Sequence, residues 1–304
     1  MKKYLLPAAG ALVLFVQACK EIGPPINLTA STTTSGDSVY TLSTAQIAAL
    51  TPDPHQVLIE EFTGQGCNNC PSAHAAIGQL STNNPGLVNS ISLYIYGIPQ
   101  GNPPGGSIHD LRDSTATNIG ALIYGGISAL PSGGVDRLPA SGSATLETDR
   151  TQWGANVASQ LALTDSVNLA VTSSYNADNS TATVVATVTY LGNVYGTQNL
   201  TVVLTEDNIV DLQEFPDSVQ PGYVFTDVYR DMLSDKPYGT PVFTSASKTS
   251  ARGVVLKRTF VYKLRTTTPA IVPANCHIVA FVSNNATGST DRRILQSAKT
   301  KLTQ

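Results

Sequence analysis

Two cysteines stand three positions apart in the stretch EEFTGQGCNNCPSAHAAIGQL, which covers residues 60–80. They are Cys67 and Cys70, and Pro71 follows directly. Thiols at this spacing serve as a redox pair, as part of a metal site, or as an inert cross-link. Which chemistry applies depends on the compartment that the chain reaches and on the elements that hold the two sulfurs.

The N-terminal residues predict export. Lys2 and Lys3 precede an apolar run over residues 4–16, a pattern typical of a secretory signal, and the run is short for a membrane span. The signal is predicted to cover residues 1–18 and to end in VQAC, which resembles the bacterial lipobox. The alternative is an ordinary signal peptide that contains a cysteine. We expect a lipoprotein of the cell envelope, held to the membrane by lipid on Cys19.

Composition disfavours several functions. The net charge is -3 and the basic residues form no cluster, so nucleic acid is not an expected partner. The sequence contains none of the motifs GxSxG, HExxH or a phosphate loop, so no conventional hydrolase activity and no cofactor is predicted. In an oxidising compartment, Cys67 and Cys70 are expected to form a disulfide. Cys276, in the strand-like run NCHIVAFVS, is expected to be a buried small apolar residue.

The chain after the signal divides into three predicted parts. Residues 19–45 are rich in Pro, Gly, Ser and Thr, as in a flexible tether. Residues 46–163 alternate between strand-like runs, such as QVLIEEFT and LVNSISLYIYG, and helix-like runs, such as CPSAHAAIGQL and DLRDSTATNIGALIYG. This order predicts an α/β domain.

Residues 164–304 are predicted to be an all-β domain. Segments such as DSVNLAVTSSY, STATVVATVTYL and GVVLKRTFVYKL show alternation or β-branched runs between turn residues. This pattern favours an antiparallel sandwich of the immunoglobulin-like (Ig-like) kind. Residues 211–250 are less regular, and we expect them to form a long excursion across one edge.

The α/β order places the cysteine pair where the first strand meets its helix. Unpaired N–H groups at a helix N-terminus favour a thiolate, so the pKa of Cys67 is expected to be depressed. Cys70 would be more shielded and less reactive. Asn68 and Asn69 are small enough to let the sulfurs close a ring, and Pro71 fits the first turn of a helix.

This strand–CxxCP–helix arrangement resembles that of thioredoxin-like proteins. The resemblance implies a buried acid six residues before the first cysteine, here Glu61, which would serve as base for Cys70. It also implies a cis-proline facing the disulfide, here at the Leu130–Pro131 bond, beside backbone that pairs with an extended client. Because strand side chains alternate, only one of Glu60 and Glu61 is expected to point inward.

A narrower resemblance covers essentially the whole exported chain. The string VLIEEFTGQGCNNCPSAH, the VQAC motif and the β-rich C-terminal part resemble the twenty-eight-kilodalton outer-membrane-protein (Omp28-related) lipoprotein family. The resemblance implies outer-membrane attachment, facing the periplasm or the surface, with a thioredoxin-like domain and a β-sandwich, but no established substrate. Gln65 and Gly66 replace the tryptophan and bulky residue usual in thioredoxins, and Asn68 and Asn69 replace the Gly-Pro of reducing thioredoxins.

Three functions remain open from the sequence. In a thiol–disulfide oxidoreductase or client binder, Cys67 would attack a protein or peptide with cysteines, Cys70 would resolve, Glu61 would assist and Pro131 would position the client. In a surface adhesin or binding module, the disulfide would be structural and the β-domain would bind. A copper site with His74 is disfavoured, because a helical face spreads these side chains along its axis; His74 is expected on the helix surface or facing a substrate.

Overall fold

The computed structural model of the chain describes residues 33–34, 36–139, 145–243, 251–267, 269–285 and 290–303. The predicted signal at residues 1–18, Cys19 and residues 20–32 of the predicted tether lie outside the described residues. Residues 38–41 form a strand paired with residues 254–257, so this end of the predicted tether belongs to the folded part. The described residues all belong to one compact unit. In the parts of the chain that the structure describes, no helix is both long and apolar enough to cross a membrane.

The described elements are four α-helices, two short 3-10 helices and fifteen strands. The α-helices are α1 (Thr44–Ala48), α2 (Cys70–Asn83), α3 (Ser114–Leu122) and α4 (Arg150–Leu161), and the 3-10 helices are Pro99–Gly101 and Pro273–Asn275. The strands are β1 (Thr33–Thr34), β2 (Ser38–Thr41), β3 (Val57–Thr63), β4 (Val88–Tyr94), β5 (Ser132–Val135), β6 (Val167–Asn176), β7 (Thr181–Tyr190), β8 (Gln198–Glu206), β9 (Ile209–Phe215), β10 (Ser218–Phe225), β11 (Val228–Met232), β12 (Thr240–Pro241), β13 (Val254–Lys263), β14 (Cys276–Asn284) and β15 (Ile294–Lys301).

The predicted alternation of strand and helix is confirmed as the order β3, α2, β4, α3, β5 and α4. Strand β3 pairs with β4 in parallel and with β5 in antiparallel. Helix α3 begins one turn later than the sequence suggests, because Asp113 rather than Asp110 is its N-cap and accepts from two backbone N–H groups. This part is an α/β arrangement.

The sheet of the α/β part continues into the β-rich part. Its eight strands follow the order β15, β14, β8, β11, β4, β3 and β5, with β12 beside β8. The junction is β11, which pairs with β8 in antiparallel and with β4 in parallel. The predicted boundary at residues 163 and 164 therefore separates two stretches of sequence that share one sheet.

Strand β11 comes from the segment 211–250, and its place between β8 and β4 corrects the expectation of an excursion across one edge; residues 244–250 lie outside the described residues. The segment contains most of the β9–β10 hairpin and all of β11. Two local irregularities disrupt the period-two pattern by which β11 would be recognised in the sequence. Asp227 has a positive φ of 53° before β11, and the register shifts between Tyr229 and Asp231. A bulge of this kind breaks the alternation that marks a strand.

The β-rich part contains a second sheet with the order β1, β13, β7 and β6, and β2 beside β13. Alternate residues of β7 are buried, as period-two patterning predicts. They pack with residues of β8 and β14 in one apolar cluster, which includes Val184, Val188, Val202 and Ile278. The β-rich sheets are thus packed face to face, as expected from the sequence at this level.

Both faces of the eight-stranded sheet are covered around β3, and every residue of β3 is buried. Ile59 packs with Ala73 of α2 and Trp153 of α4. Phe62 packs on the opposite face with Ile119 of α3. Such two-sided burial gives a continuous apolar run instead of an alternating one, and it decides how the carboxylates of β3 are placed.

Candidate functional site around the Cys67–Cys70 disulfide

Cys67 and Cys70 form a disulfide with a Cα–Cα distance of 5.3 Å. Cys70 is the first residue of α2, and Cys67 lies in the turn that precedes the helix. Cys67 is 1% exposed and Cys70 is 0% exposed, whereas Asn68 and Asn69 between them are exposed. The expected difference in shielding between the two sulfurs is therefore absent, because both are covered.

One cover is the loop between β4 and α3. The 3-10 turn Pro99–Gly101 lies directly against the turn that precedes the disulfide, since a Cβ built at Gly64 would overlap the carbonyl oxygen of Gln100. A Cβ at Gly66 would meet the carbonyl oxygen of Asn102 in the same way. The loop packs backbone against backbone here, which only glycine permits without displacement.

The second cover is the β9–β10 hairpin. The side-chain amide of Gln213 is fully buried and donates to the carbonyl oxygens of Cys67 at 3.0 Å and Gly64 at 3.3 Å. The backbone N–H of Glu214 donates to the carbonyl oxygen of Gln65 at 2.9 Å. The hairpin thus pairs with the disulfide turn through backbone carbonyls that would otherwise face solvent.

Glu60 and Glu61 are 2% and 0% exposed, so the prediction that only one of them points inward is wrong. The side chains alternate as expected, but helices cover both faces of β3 and bury both carboxylates. Glu61 shares its face with Ile59, beneath α2. Burial raises the pKa of Glu61 well above its ordinary value. The hydrogen bond from Ser92 Oγ, at 3.4 Å, acts in the opposite direction but is outweighed.

His74 lies above Glu61 on α2, one turn after Cys70. Its Nε2 is 3.4 Å from Oε1 of Glu61 and 3.0 Å from Oγ1 of Thr63, and its side chain is 14% exposed. Oε1 of Glu61 has no hydrogen-bond partner among the described residues. Burial lowers the pKa of His74 to about 4, so the imidazole is neutral at neutral pH. Glu61 thus faces an uncharged imidazole, and not a cation that would favour its carboxylate form.

Tyr223 of β10 completes this cluster from the hairpin side. Its hydroxyl lies 2.7 Å from Nδ1 of His74. Both imidazole nitrogens are satisfied when Tyr223 O–H donates to Nδ1 and Nε2–H donates to Thr63. The register of the hairpin shifts between Gln220 and Tyr223, and such a bulge re-aims the side chains that follow it.

Pro131 stands at the same end of the sheet as the disulfide turn. The Leu130–Pro131 peptide bond is cis, as the resemblance implies. Ser132 pairs with Phe62, and β5 runs antiparallel to β3. Pro131 therefore lies beside the last residue of β3. The structure therefore brings Cys67, Cys70, Glu61 and Pro131 to one end of the α/β part.

The structure contains two further buried charged clusters that the sequence does not predict. In the first, the guanidinium of Arg137 donates to both carboxylate oxygens of Glu60 at 2.7 Å, and the hydroxyl of Tyr124 donates to the same carboxylate at 2.9 Å. The guanidinium lies 4.9 Å from the ring centre of Phe281. These contacts pair Glu60 with a cation on the face opposite Glu61.

In the second cluster, His55 bridges two buried carboxylates. Its Nδ1 lies 2.6 Å from Asp165, and its Nε2 lies 2.9 Å from Asp136. Burial alone would lower the pKa of His55, but the hydrogen bonds and charges of the two aspartates raise it to about 9. Asp165 lies just before β6, so this buried ion cluster connects the α/β and β-rich parts. No local signal in the sequence marks it.

Among the residues that the structure describes, no group of three or more His, Cys, Asp or Glu side chains is arranged to hold a metal ion. Cys276 is free and buried, as expected, and burial raises its pKa to about 12. Its thiol is thus poorly reactive at neutral pH.

The profile of the family described as Outer membrane protein Omp28 matches residues 123–303, more than half of the chain. The chain belongs to this outer-membrane protein family. The match covers β5, which pairs with the β3 strand that leads to the disulfide, and strands β6 to β15, but not β1, β2 or the disulfide itself. A comparison with curated proteins found no match.

Two solved structures share the fold at low sequence identity, and a third shows a weaker similarity over less of the chain. HBP35 of Porphyromonas gingivalis is 16% identical with a TM-score of 0.59, and the match covers 82% of this chain and 76% of that one. Protein AGR_C_4864 of Agrobacterium tumefaciens is 13% identical with a TM-score of 0.50, over 84% and 97%. A domain of the outer membrane lipoprotein Omp28 from Porphyromonas gingivalis is 16% identical with a TM-score of 0.30, over 46% and 89%.

Proposed function

We propose that the chain is a lipoprotein of the outer membrane, anchored through Cys19, whose α/β part is thioredoxin-like and whose β-rich part is an Ig-like sandwich. Its activity is thiol–disulfide exchange, or disulfide-dependent binding, with a protein or peptide client that carries cysteines. Cys67 and Cys70 form the reacting pair, Glu61 handles the proton of Cys70, and Pro131 positions the client.

The observation that carries this proposal is the buried carboxyl of Glu61 beneath the helix that begins at Cys70. A buried carboxyl with an incompletely paired oxygen is destabilising, and an inert cross-link does not require one. Exchange chemistry does require one, because the thiolate released from a buried disulfide needs a nearby proton. With its pKa raised by burial, Glu61 retains a proton that a leaving thiolate can take.

The proposed reaction conserves electrons between two sulfur pairs. A client thiolate attacks the Cys67 sulfur, the Cys67–Cys70 bond breaks, and Cys70 leaves with the bonding electrons and takes a proton from Glu61. A second client thiolate then attacks the client sulfur of the mixed disulfide and releases the Cys67 thiolate, which takes a proton from solvent. The client is oxidised to a disulfide, the protein is reduced to a dithiol, and the reverse order reduces a client disulfide.

A second function, a non-catalytic surface binding module, is favoured by the burial of both sulfurs. A cysteine that is 1% exposed does not meet a client sulfur until the hairpin or the loop moves. In that case the disulfide stabilises one turn, and the β-rich part carries the binding.

Reduction of the native protein distinguishes the two functions. The purified full chain is exposed to dithiothreitol without denaturant, the thiols are alkylated, and each cysteine is quantified by mass spectrometry while circular dichroism follows the fold. Exchange chemistry predicts that Cys67 and Cys70 become alkylated while the fold persists. A structural cross-link predicts reduction only in step with unfolding, and that result would overturn the proposal.

Trapping provides a second test. A Cys70→Ser variant retains the Cys67 thiol but lacks the resolving sulfur, so it should accumulate mixed disulfides with clients from envelope extracts, seen as thiol-sensitive bands on non-reducing gels. The matched control is the Cys67→Ser, Cys70→Ser double variant, which should trap none. Equal trapping by the two variants would assign the adducts to Cys276 or to non-specific contacts and contradict exchange at Cys67.

A further inference from the structure

A cavity of about 260 Å³ lies between the β8–β9 turn, β11, the loop before α3 and the segment before β14. Its lining combines a few polar groups with apolar side chains. The lining residues are His109, Glu206, Asn208, Ile209, Val210, Arg230, Ala270, Val272 and Asn275. A small concave site with a few convergent polar groups is the usual form of a small-molecule site.

The charged floor of this cavity is an incompletely satisfied ion pair. Nε of Arg230 lies 3.1 Å from Oε2 of Glu206, and the two side chains are 5% and 3% exposed. The contact is not aligned as a hydrogen bond, and neither atom has a hydrogen-bond partner among the described residues. A buried guanidinium normally has most of its five donors satisfied, so Arg230 retains donor capacity toward the cavity.

Local backbone structure explains why Arg230 points there. The register between β11 and β8 shifts between Tyr229 and Asp231, which leaves Arg230 as the extra residue of a bulge. The side chains on either side of Arg230 have other contacts. Tyr229 packs in an apolar cluster, and Asp231 accepts a hydrogen bond from the hydroxyl of Tyr262. Bulges re-aim a side chain out of the strand pattern and are frequent next to functional sites.

The polar groups of the cavity select an anion over a cation. Oε1 of Glu206 already accepts from the backbone N–H of Val272 at 2.8 Å, and its Oε2 faces Arg230. Glu206 therefore has little capacity left for a cationic ligand. Arg230 has donors to spare, and Nδ1 of His109, which lines the same cavity, is buried without a partner among the described residues.

The single guanidinium and the apolar walls limit the kind of anion. A guanidinium matches the planar geometry of a carboxylate with two parallel N–H···O bonds. Ile209, Val210 and Val272 offer aliphatic contact for a short apolar group, which a bare inorganic ion does not use. We propose that this cavity binds a small organic carboxylate, either a free aliphatic acid or the C-terminal carboxylate of a peptide, with its oxygens on Arg230.

Isothermal titration calorimetry on the purified full chain tests this proposal with four probes. They are hexanoate, 1-hexanol, the peptide acetyl-Gly-Val-Val with a free carboxylate, and the same peptide as its amide. Hexanoate should bind at least about tenfold more tightly than hexanol, because a charge-assisted pair adds to the apolar contact. Tighter binding of the peptide acid than of hexanoate identifies a peptide C-terminus as the ligand, and the reverse identifies a free acid. Equal affinities of each acid and its neutral counterpart, or no binding at millimolar concentration, would overturn the proposal.

Two variants separate the site from the stability of the fold. Val272→Trp fills the cavity but preserves the backbone N–H that Glu206 uses, and it should abolish binding. Val219→Trp is the matched control, because Val219 is 46% exposed, like Val272 at 47%, and lies outside the cavity. The double variant Glu206→Gln, Arg230→Gln replaces the ion pair by a neutral amide pair and should weaken binding of the acids at least about tenfold. Unchanged binding by Val272→Trp with a native urea midpoint contradicts the assignment.

Discussion

The hydroxyl of Tyr223 lies 2.7 Å from Nδ1 of His74 and joins the β9–β10 hairpin to the helix that carries the disulfide. This contact connects two properties of the molecule. It completes the hydrogen bonding of a neutral imidazole beside Glu61, and it closes the hairpin over the disulfide turn. Access to the sulfurs and the proton environment beneath them therefore depend on the same pair of residues.

The first prediction is that Tyr223→Phe makes the disulfide easier to reduce in the folded protein. The substitution removes one hydrogen bond worth about 1 kcal/mol, so the open form of the hairpin should be several times more populated. The rate of dithiothreitol reduction, followed by alkylation of Cys67 and Cys70, should rise by this factor. Tyr195→Phe is the matched control, because Tyr195 is 87% exposed and lies in the turn between β7 and β8, outside the hairpin. An unchanged rate in Tyr223→Phe would show that the hairpin does not limit access.

The second prediction concerns the pH dependence that Glu61 imposes on stability. Its folded pKa is raised by burial, so its favourable contribution is fully present below the unfolded value of about 4.3 and is lost as pH rises through the folded pKa. Glu61→Gln removes this loss. The free energy of unfolding in urea, measured from pH 4 to pH 9, should thus fall less steeply with pH in the variant. Parallel curves would contradict the raised pKa.

The third prediction concerns the buried cation of His55. Its pKa of about 9 exceeds the ordinary 6.5, so the stabilisation is fully present below pH 6.5 and is lost as pH rises through about 9. One titrating proton changes the free energy of unfolding by about 1.4 kcal/mol per pH unit. His55→Asn should therefore be more destabilising at pH 6 than at pH 9.5, by urea unfolding. His277→Asn is a suitable comparison, because burial lowers the pKa of His277 and its effect should have the opposite sign.

The fourth prediction tests the pairing of Glu60 with Arg137. Arg137→Met leaves a buried carboxylate with only the Tyr124 hydroxyl, so the free energy of unfolding should fall by about 3–5 kcal/mol. The double variant Glu60→Gln, Arg137→Met carries no buried charge and should recover a large part of this loss. Urea unfolding of the three proteins measures the difference, and a double variant as unstable as Arg137→Met would assign the effect to lost packing on Phe281 instead.

Local patterns predict the parts of the fold that local forces determine. The helix face of α2, the strands β6, β7, β13 and β14, and the cysteine pair at a strand–helix junction all follow from periodicity and turn residues. The disulfide itself follows from the spacing of Cys67 and Cys70 and the expected compartment. These features involve residues that are close in the sequence, so a single stretch contains the information.

The remaining features depend on residues that meet only in the folded chain. His55 lies 81 residues from Asp136 and 110 from Asp165, and Tyr223 lies 149 residues from His74. Alternation correctly separates Glu60 from Glu61 but does not reveal that helices cover both faces of β3. Strand β11 has a bulge that disrupts its period-two pattern. The sequence therefore predicts neither β11 nor the continuous sheet that β11 forms between the two parts.

The fifth prediction tests the loop that covers the disulfide turn. A Cβ at Gly64 would overlap the carbonyl oxygen of Gln100 in the Pro99–Gly101 turn. Backbone cannot rotate aside as a flexible side chain does, so Gly64→Ala should displace this turn, destabilise the fold by about 1–3 kcal/mol and accelerate disulfide reduction. Gly78→Ala is the matched control, since Gly78 lies within α2 with nothing within 4 Å of its added Cβ. That variant should gain up to about 1 kcal/mol from helix propensity. Urea unfolding and the alkylation assay together decide the matter: if Gly64→Ala matches Gly78→Ala in both, the loop does not cover the sulfurs.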